Sequence, residues 1–316
     1  MLGKSDIDSK IFPKNTLTVD MFGCVFYRPF EYKMVTHARV FSLIPKFKMS
    51  QNQVLFVSNS LRYLRKIFEY GNMCTWQKIK DMKIKLPKKS NAIDFKFMED
   101  FITEFSANKM KELTKYLKVK GLSDYKLTEK EEKILTKKVK FKEFLLTDIF
   151  EMKNTKCIVQ EQIKLNSGKI PYVTAASNNN GVMTYIDCPK EWLDEGNSIM
   201  IGGKTLTFTY QEKDFCSNDS HNIALYLKEK NYENRETILY LIAALNKSLS
   251  KKYSWGYSVS MKKIKEDFFY LPVKNNAPDY DYMETYIKAL QKLIIADVQK
   301  YADTKIAAAT EAATMN

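Results

Sequence analysis

The feature that most constrains this chain of 316 residues is an internal repeat. Residues Asp94–Ile102 (DFKFMEDFI) and Asp279–Ile287 (DYDYMETYI) share Asp, Met, Glu and Ile at matching positions and exchange Phe for Tyr. The same offset of 185 aligns Leu86-Pro87 with Leu271-Pro272 and Lys78-Ile79-Lys80 with Lys263-Ile264-Lys265. One offset shared by separate motifs predicts two copies of one structural unit.

A long helix is predicted at the end of each copy. Both segments carry a narrow apolar stripe at heptad-like spacing, formed in the first copy by Met98, Ile102 and Phe105 and in the second by Met283, Ile287, Leu290, Ile294 and Tyr301. A helix of about 29 residues would be ~43 Å long at ~1.5 Å per residue. Two such stripes in one chain favour an antiparallel coiled-coil spacer. The alternative, in which each helix lies on the core of its own copy, stays open.

The segments ahead of these helices predict an α+β fold. Residues 16–27 and 199–210 are rich in β-formers, with period-two alternation from Thr205 to Tyr210, whereas residues 236–249 and, more weakly, 61–68 have helical spacing. The second copy starts near Phe141, and the first copy lacks a counterpart of residues 141–184, so we interpret the first as a partial domain. The predicted organisation is a partial domain at 1–91, a spacer helix at 92–121, a charged linker at 122–140, a complete domain at 141–278 and a second spacer helix at 279–316.

The linker is predicted to contain a short helix, because Thr128 and Glu131 have the spacing of a capping box.

Positive charge is concentrated in the first copy. Residues 1–91 hold 17 Lys and Arg against 6 Asp and Glu, a net +11 of the total +14, whereas residues 141–278 hold 18 against 16, a net +2. Excess lysine and arginine with interleaved aromatic residues favours nucleic acid as the partner. The alternative is a lysine-rich surface that reflects only the composition of the source genome.

The composition argues against most catalytic classes. The five cysteines have no Cys-x-x-Cys spacing and there are only two histidines, so a zinc cluster is not expected. Gly203-Lys204-Thr205 ends like a phosphate-binding loop, but Ser198 occupies the required earlier glycine position. We therefore predict a non-catalytic protein. Without a long apolar run or an apolar leader, we expect it to be cytoplasmic.

At this point the sequence resembles a known family. Lys169–Val182 (KIPYVTAASNNNGV), Phe144–Phe150 (FLLTDIF), the Met-Glu-x-Phe/Tyr-Ile pattern of both helices and Gly121–Thr128 (GLSDYKLT) are similar to target recognition domains of type I restriction-modification specificity subunits, close to the variants of type IIB and IIG systems. The resemblance covers nearly the whole chain from about Thr16, and the truncated first domain is the departure from it.

The resemblance implies a subunit that recognises DNA without catalysing a reaction. Two recognition domains, separated by an antiparallel helix pair, would each read half of a bipartite target. Two N6-adenine methyltransferase subunits would bind the assembly, and a restriction subunit is a further candidate partner. S-adenosylmethionine, ATP and Mg²⁺ would belong to those partners, and no cofactor is expected in this chain. The partial domain suggests a homodimer or a complementing chain. The rival hypothesis is an interaction protein or decoy that binds methyltransferase subunits, or inhibits restriction, without reading DNA.

Candidate DNA contacts lie in polar or basic loops, because a specificity module needs side chains that reach base edges from a rigid scaffold. In the complete domain they are Lys204, Thr205, Ser217, Asn218, Asp219, His221, Ser254, Trp255, Tyr257, Lys262 and Lys263, and in the partial domain they are Arg28, His37, Arg39, Asn72, Thr75, Trp76 and Lys78. For each polar loop the alternative is an ordinary turn held by side chain–backbone hydrogen bonds. For Trp76 and Trp255 the alternative is core packing. Asn178–Gly181 is interpreted as a turn that the fold requires.

Overall fold

The computed structural model describes residues 6–34, 39–254 and 256–314. The chain forms two compact units, described separately below. Unit 1 comprises residues 1–123 and 297–316, and unit 2 comprises residues 124–296. Both mix helices with strands, as the sequence predicts.

Unit 1 is built on a three-stranded antiparallel sheet of order β3-β2-β5. Leu17 and Val19 of the central strand lie in the core with Val54 of the first helix. The elements of this unit are β1 (Ile11–Phe12), β2 (Thr16–Val19), β3 (Val25–Arg28), β4 (Tyr32–Lys33), β5 (Phe41–Leu43), α1 (Gln51–Ser60), α2 (Trp76–Ile79), β6 (Lys88–Lys89), β7 (Ala92–Ile93) and α3 (Phe95–Val119).

Helix α1 corrects the sequence interpretation of the first copy. The structure has a 3-10 helix at Arg62–Lys66, so the main helix lies before the predicted segment 61–68. Helix α1 begins after Ser50, which accepts a hydrogen bond from the N–H of Gln53, while the Gln53 side chain accepts one from the N–H of Ser50. This capping box, followed by apolar residues at helical spacing, is the sequence pattern that predicts the start of α1.

Unit 2 contains a four-stranded antiparallel sheet of order β13-β12-β15-β9 and two three-stranded sheets of orders β11-β10-β14 and β17-β16-β8. Its elements are α4 (Glu129–Thr136), β8 (Phe141–Leu145), α5 (Leu146–Ile149), β9 (Phe150–Asn154), β10 (Ile170–Val173), β11 (Val182–Ile186), β12 (Ser198–Ile201), β13 (Phe208–Gln211), β14 (Cys216–Ser217), β15 (Ile223–Leu227), α6 (Arg235–Leu249), α7 (Met261–Ile264), β16 (Phe268–Lys274), β17 (Ala277–Pro278) and the first part of α8 (Tyr280–Thr314), whose residues from Asp297 onward belong to unit 1.

The core of unit 2 lies between its main sheet and α6. All residues of β12 and β15 are buried, and Ile238, Leu241 and Leu245 of α6 pack against them in one apolar cluster. A strand buried on both faces needs apolar residues at successive positions, and this explains the run Ile-Ala-Leu-Tyr-Leu of β15. The predicted helix at 236–249 is confirmed by α6. The predicted alternation from Thr205 is wrong, because β13 begins only at Phe208 and Leu206 has a positive φ of 50° in a turn.

The internal repeat is confirmed as a structural repeat. Adding 185 to the bounds of α2 gives α7, adding it to β7 gives β17, and adding it to the first residue of α3 gives the first residue of α8. Isolated β-bridges also recur at this offset, joining Glu69 to Asn72 in unit 1 and Ser254 to Tyr257 in unit 2. In both units, therefore, a two-residue bridge, a short helix, an extended segment and a long helix follow in the same order.

The long helices have 25 residues in α3 and 35 in α8, or ~37 Å and ~52 Å at ~1.5 Å per residue. Phe105, Ile294 and Tyr301, which the periodicity assigned to a packed stripe, are instead 52%, 64% and 57% exposed. The buried positions of these helices are instead Met98, Ala107 and Leu117 in α3 and Met283, Ala289 and Ala302 in α8. Met283 joins the core of unit 2, and the Asn52 side chain of α1 donates a 2.7 Å hydrogen bond to Glu99 of α3. The role of both helices as a spacer remains a prediction.

The predicted charged linker contains α4, as expected. Thr128 and Glu131 form both bonds of the capping box. Glu131 also forms a 2.9 Å ion pair with Lys292 of α8, while Ile134 packs with Tyr282 and Ala289. Helix α4 is therefore an integral part of unit 2.

The segment β8-α5-β9 accounts for much of the core of unit 2, so its truncation should be costly. Replacing Leu146, which is fully buried in α5, with alanine is expected to lower the free energy of unfolding by about 2–5 kcal/mol, because it removes apolar contacts and leaves a cavity. Phe141 on β8 is 54% exposed, and its replacement with alanine serves as the control. Urea unfolding would show equal losses for the two variants if the segment were only peripheral.

Candidate nucleic-acid interface

In unit 2, predicted DNA contacts from three loops come together. The hairpin loop (residues 202–207) joins β12 to β13, the polar loop (residues 218–222) leads into β15, and the tyrosine turn (residues 254–258) lies between α6 and α7. Lys204 and Thr205 of the hairpin loop and Ser254 and Ser258 of the tyrosine turn line one depression of about 250 Å³. The structure thus brings together residues that are about 50 positions apart in the sequence.

The hairpin loop and the polar loop make close contact through Gly203. Its N–H donates a 3.1 Å hydrogen bond to Oδ1 of Asn222. A Cβ atom at this position would lie 2.3 Å from the carbonyl oxygen of His221, closer than real Cβ contacts allow. Glycine is therefore required for this approach. Lys204 follows directly, and its Nζ lies 3.8 Å from Oδ2 of Asp219.

Asn222 is a supporting residue that the sequence analysis missed. It is buried, and its amide donates hydrogen bonds to Oγ of Ser217 at 3.1 Å and Oδ1 of Asn218 at 3.3 Å. Its position two residues before an apolar strand gave no separate signal.

Ser217 requires a correction. It is fully buried, and its hydroxyl accepts a 2.8 Å hydrogen bond from Thr155. Because neither its surface nor its hydroxyl is available, Ser217 supports the polar loop and does not contact DNA in this conformation. Asn218, next to it, is partly exposed.

Asp219 and His221 form a small charged cluster. Oδ1 of Asp219 accepts hydrogen bonds from the backbone N–H of His221 at 2.9 Å and lies 2.7 Å from Nδ1 of its ring. Partial burial alone would raise the pKa of Asp219, but the two contacts with His221 and the charge of Lys204 outweigh it, so this pKa lies below its usual value. Asp219 therefore organises the loop, while the His221 and Lys204 side chains stay exposed.

Thr205 is exposed, but its hydroxyl has a local partner. It donates a 2.9 Å hydrogen bond to the carbonyl oxygen of Ala175, which lies in the segment that resembles the family hallmark. Nearby, Asn178–Gly181 forms the expected turn, with positive φ at Asn179 and Asn180 and a 2.9 Å hydrogen bond from the N–H of Gly181 to the carbonyl oxygen of Asn178. The hallmark segment therefore supports the hairpin loop.

The tyrosine turn presents an aromatic ring beside basic residues. Tyr257 is 48% exposed, and its ring stacks on that of Tyr253 with 5.8 Å between the ring centroids. Nζ of Lys263 lies 3.7 Å from the ring centroid of Tyr257 and donates a 2.9 Å hydrogen bond to the carbonyl oxygen of Ser258. Lys262 is exposed. Trp255 lies outside the residues that the structure describes.

A buried carboxylate anchors the tyrosine turn. Asp267 is buried, accepts a 2.5 Å hydrogen bond from the hydroxyl of Tyr253, and forms an ion pair with Lys252. Burial, followed by the hydrogen bond and charge of Asp267, raises the pKa of Tyr253. The Tyr253 hydroxyl therefore stays protonated as a donor.

Unit 1 repeats the geometry of this turn with different residues. Asn72 stands at the position of Tyr257, and Lys78 stands at that of Lys263. Nζ of Lys78 donates hydrogen bonds to Oδ1 of Asn72 at 2.7 Å and to the carbonyl oxygen of Met73 at 2.9 Å. Met73 corresponds to Ser258, so both lysines bind the same backbone position. Arg39 also contacts Met73, so the structure brings together Arg39, Asn72 and Lys78.

The remaining candidates of unit 1 differ in position. Trp76, at the start of α2, is 51% exposed, and its ring lies edge-on to that of Phe41. It is therefore neither buried in the core nor fully exposed. Thr75 precedes it without a side-chain capping bond. Arg28 lies at the opposite end of the sheet, paired with Thr16, whereas Phe41 pairs with Val19. The two ends of the sheet are separated by ~10 Å along the strands, and Nε of Arg28 donates a 3.0 Å hydrogen bond to Oγ1 of Thr18. His37 lies outside the described residues.

Among the described residues, no three His, Cys, Asp or Glu side chains are grouped so that they could hold a metal ion. No described helix is both long and apolar enough to cross a membrane.

Two glycine substitutions test whether DNA binding requires the close contact between the hairpin loop and the polar loop. Gly203→Ala should lower DNA affinity at least about tenfold, because the hairpin loop must move away from the polar loop. Gly256→Ala is the matched control in the tyrosine turn, since no atom lies within 4 Å of its added methyl group. Duplex binding by fluorescence anisotropy measures both. Equal affinities for the two variants would contradict the role of the loop contact.

Tyr253→Phe tests the anchor of the tyrosine turn. The change should lower the free energy of unfolding by about 1.5–3 kcal/mol, because the buried Asp267 loses a donor while the stacked ring remains. Phe68 already occupies the equivalent position in unit 1, where Met82 replaces the carboxylate, so Phe68→Tyr there is a control with no partner to gain. Chemical denaturation that left Tyr253→Phe as stable as the parent chain would be incompatible with this anchor.

The lowered pKa of Asp219 predicts a pH dependence. A carboxyl group whose pKa is lower in the folded than in the unfolded chain stabilises the fold above its ordinary pKa of about 3.9, and this contribution disappears as the pH falls through the lowered folded value. Between pH 5 and pH 2, the stability difference between the parent chain and Asp219→Asn should therefore shrink as the pH falls below about 4. Urea titrations at each pH measure it, and a difference that grew on acidification would refute the assignment.

Residues 2–115 and 138–300 match the family model described as the type I restriction modification DNA specificity domain. The specificity subunit of the BcgI type II restriction enzyme of Heyndrickxia coagulans is 25% identical over 283 residues, covering 87% of this chain and 78% of that protein.

Two solved structures also match along most of the chain. They are the S subunit of a type I restriction-modification system from M. genitalium, with 16% identity, 98% of this chain and 84% of that chain covered and a TM-score of 0.46, and the HsdS subunit from Thermoanaerobacter tengcongensis, with 9% identity, 94% and 80% covered and a TM-score of 0.38. Since the family model matches both units over most of the sequence, the chain belongs to the type I restriction modification DNA specificity family and is a specificity subunit of a restriction-modification system.

Proposed function

We propose that unit 2 recognises DNA through the hairpin loop, the polar loop and the tyrosine turn, and that unit 1 uses the equivalent surface around Arg39, Asn72 and Lys78. The observation that carries this proposal is the meeting of three polar loops on a buried scaffold, with exposed lysine, histidine and tyrosine side chains. Rigid support of exposed polar groups is what base recognition requires.

The side chains divide by the chemistry of the DNA groups that they suit. Lys204 and Lys262 are exposed cations for phosphate oxygens, which position the duplex without reading its sequence. Asn218 and His221 can donate to or accept from base edges in the major groove. The exposed face of Tyr257 suits an apolar contact, such as a thymine methyl group. The preference for particular bases should therefore depend on the polar loop. The lysines should contribute affinity that is the same for every sequence.

The charge distribution supports different contributions of the two units to DNA binding. The net charge is +11 over residues 1–91 and +2 over residues 141–278. Because phosphate neutralisation supplies sequence-independent affinity, unit 1 would contribute more to the attraction and orientation of the DNA. Unit 2 would depend more on directional hydrogen bonds. Each unit would read one half of a split target.

The chain would act without catalysis of its own and would direct two methyltransferase subunits to the sequence that it reads, with a restriction subunit as a further partner. The family match and the name of the specificity subunit relative support this role. The rival function, a decoy that binds methyltransferase without reading DNA, has no need for exposed Asn218 and His221 on an ordered loop. The loop geometry therefore favours sequence recognition.

Two substitutions should separate positioning from reading. With the chain bound to its methyltransferase, Lys262→Ala should weaken binding to all duplexes similarly and reduce the slope of log K against log salt by about 1. Asn218→Ala should relax the preference at one base pair by about 1–3 kcal/mol and leave the salt slope unchanged. Selection from a random duplex library followed by sequencing measures both effects.

The controls decide between recognition and the decoy. Lys247→Ala removes an exposed lysine of α6 outside the three loops and should change neither quantity. Uniform affinity of the parent complex for every duplex, with a steep salt dependence, would reject sequence recognition. Methylation mapping in cells should in addition show that loop variants of unit 2 alter one half of the methylated motif and leave the other half unchanged.

A further inference from the structure

Two cysteines of unit 2, neither of them part of the candidate DNA surface, are in contact through their sulfur atoms. Sγ of Cys188 lies 3.1 Å from Sγ of Cys216, and the two residues are 28 positions apart in the sequence. Both thiols are free. A disulfide bond has an S–S distance of ~2.05 Å, so bond formation requires the two sulfur atoms to approach by ~1 Å.

The fold brings these cysteines together because a connecting segment crosses one face of a sheet. In the sheet of order β11-β10-β14, β11 and β14 are the two edge strands. Residues 187–193 follow β11, and Asp194 then exchanges two backbone hydrogen bonds, of 2.8 and 3.0 Å, with Phe215 directly before β14. Cys188, at the start of this crossing segment, packs against an apolar cluster that includes Tyr172 of the central strand. The segment therefore passes over β10 from one edge of the sheet to the other.

The two thiols differ in their access to solvent. Cys216 is fully buried, whereas Cys188 is partly exposed. Burial, followed by the contact with Cys188, raises the pKa of the Cys216 thiol, so this thiol stays protonated. Because a reactive thiol needs both access and thiolate character, a dissolved oxidant should reach Cys188 first. Cys216 is then the neighbouring thiol that can complete a disulfide.

We propose that Cys188 and Cys216 form a redox modification site, at which hydrogen peroxide converts the two thiols into a disulfide that joins the crossing segment to β14. Sγ of Cys188 attacks one peroxide oxygen, the O–O bond breaks, and the other oxygen leaves as water with the Cys188 proton, so that a sulfenic acid forms. Sγ of Cys216 then attacks the sulfenic sulfur, the S–O bond breaks, and the hydroxyl leaves as a second water with the Cys216 proton. The two thiols together lose two electrons, and the peroxide accepts both. A small dithiol reverses the reaction by thiol–disulfide exchange.

The disulfide would form directly ahead of the polar loop. Strand β14 consists of Cys216 and Ser217 alone, and the N–H of the next residue, Asn218, donates a 3.1 Å hydrogen bond to the carbonyl oxygen of Val173 in β10. A cross-link between residues 28 positions apart restricts the unfolded chain and so stabilises the folded one. Because the fold already holds the two sulfur atoms in contact, oxidation should stabilise this conformation without changing the geometry of the loop. The inference depends on the cysteine contact and not on DNA recognition.

The test treats the full chain with hydrogen peroxide, blocks the remaining thiols by alkylation and maps the peptides by mass spectrometry. We expect a peptide pair linked through Cys188 and Cys216. The melting temperature of the oxidised chain should exceed that of the reduced chain by several degrees, because the cross-link lowers the entropy of the unfolded state. The amides of residues 216–218 should gain protection from hydrogen exchange. Dithiothreitol should reverse all three effects.

Two serine substitutions provide the variant and its matched control. Cys188→Ser should abolish the linked peptide and the rise in melting temperature on oxidation, and the fold should tolerate it because Cys188 is already partly exposed. Cys157→Ser is the control, since Cys157 is an exposed cysteine of the same unit whose Sγ lies 3.7 Å from the carbonyl oxygen of Asn218. It should retain both effects. If Cys188→Ser does not fold, the linked peptide of the parent chain and its reversal by dithiothreitol still decide the proposal.

The proposal is overturned if peroxide produces sulfinic acid at Cys188 without a link to Cys216, or if the link forms and the melting temperature does not rise. It is also overturned if oxidised Cys188→Ser gains as much thermal stability as the oxidised parent chain. Duplex library selection with the reduced and the oxidised chain separates this result from the proposed function. Both forms should select the same sequences, and a lack of selection by both would contradict DNA recognition but not the disulfide.

Discussion

The burial of β15 is the constraint on which unit 2 depends. All five of its residues are buried, with β12 on one side, β9 on the other and α6 packed on the sheet. Such a strand cannot move without loss of the core, so the residues that lead into it are held in place. Asn222 is the last of these, and its amide and carbonyl groups connect the polar loop to Gly203. The candidate DNA surface is therefore ordered by the apolar core beneath it.

The two units share one framework but differ in the side chains of the turn and in what covers the core. The lysine that binds a turn carbonyl recurs as Lys78 and Lys263, although Asn72 replaces the aromatic Tyr257. Unit 2 closes its core with β8-α5-β9, whereas the equivalent surface of unit 1 is an open groove. The unit with the larger positive charge is thus also the one with the open apolar groove.

Local signals in the sequence predicted local structure well. The repeat, α4 with its capping box, α6 and the starts of both long helices follow from spacing and end residues. Helix α1 was predictable from Ser50 and Gln53 but was placed too late in the sequence. The stripe through Ile294 and Tyr301 has helical spacing, yet both residues are exposed, because periodicity indicates a shared face and not what covers that face. Ser217 was chosen as a polar loop residue, but Thr155, 62 residues away, uses its hydroxyl inside the core.

The sequence by itself determined that the chain is a tandem repeat with an uneven positive charge and a long helix at the end of each copy. These properties depend on residue identity and spacing along the chain. Only the tertiary structure decided which loop residues face solvent, how Lys204, Thr205 and Ser254 line one depression, and where an apolar groove opens in unit 1. Those outcomes depend on close approaches between distant segments, such as Gly203 against His221, and no local pattern encodes such distances.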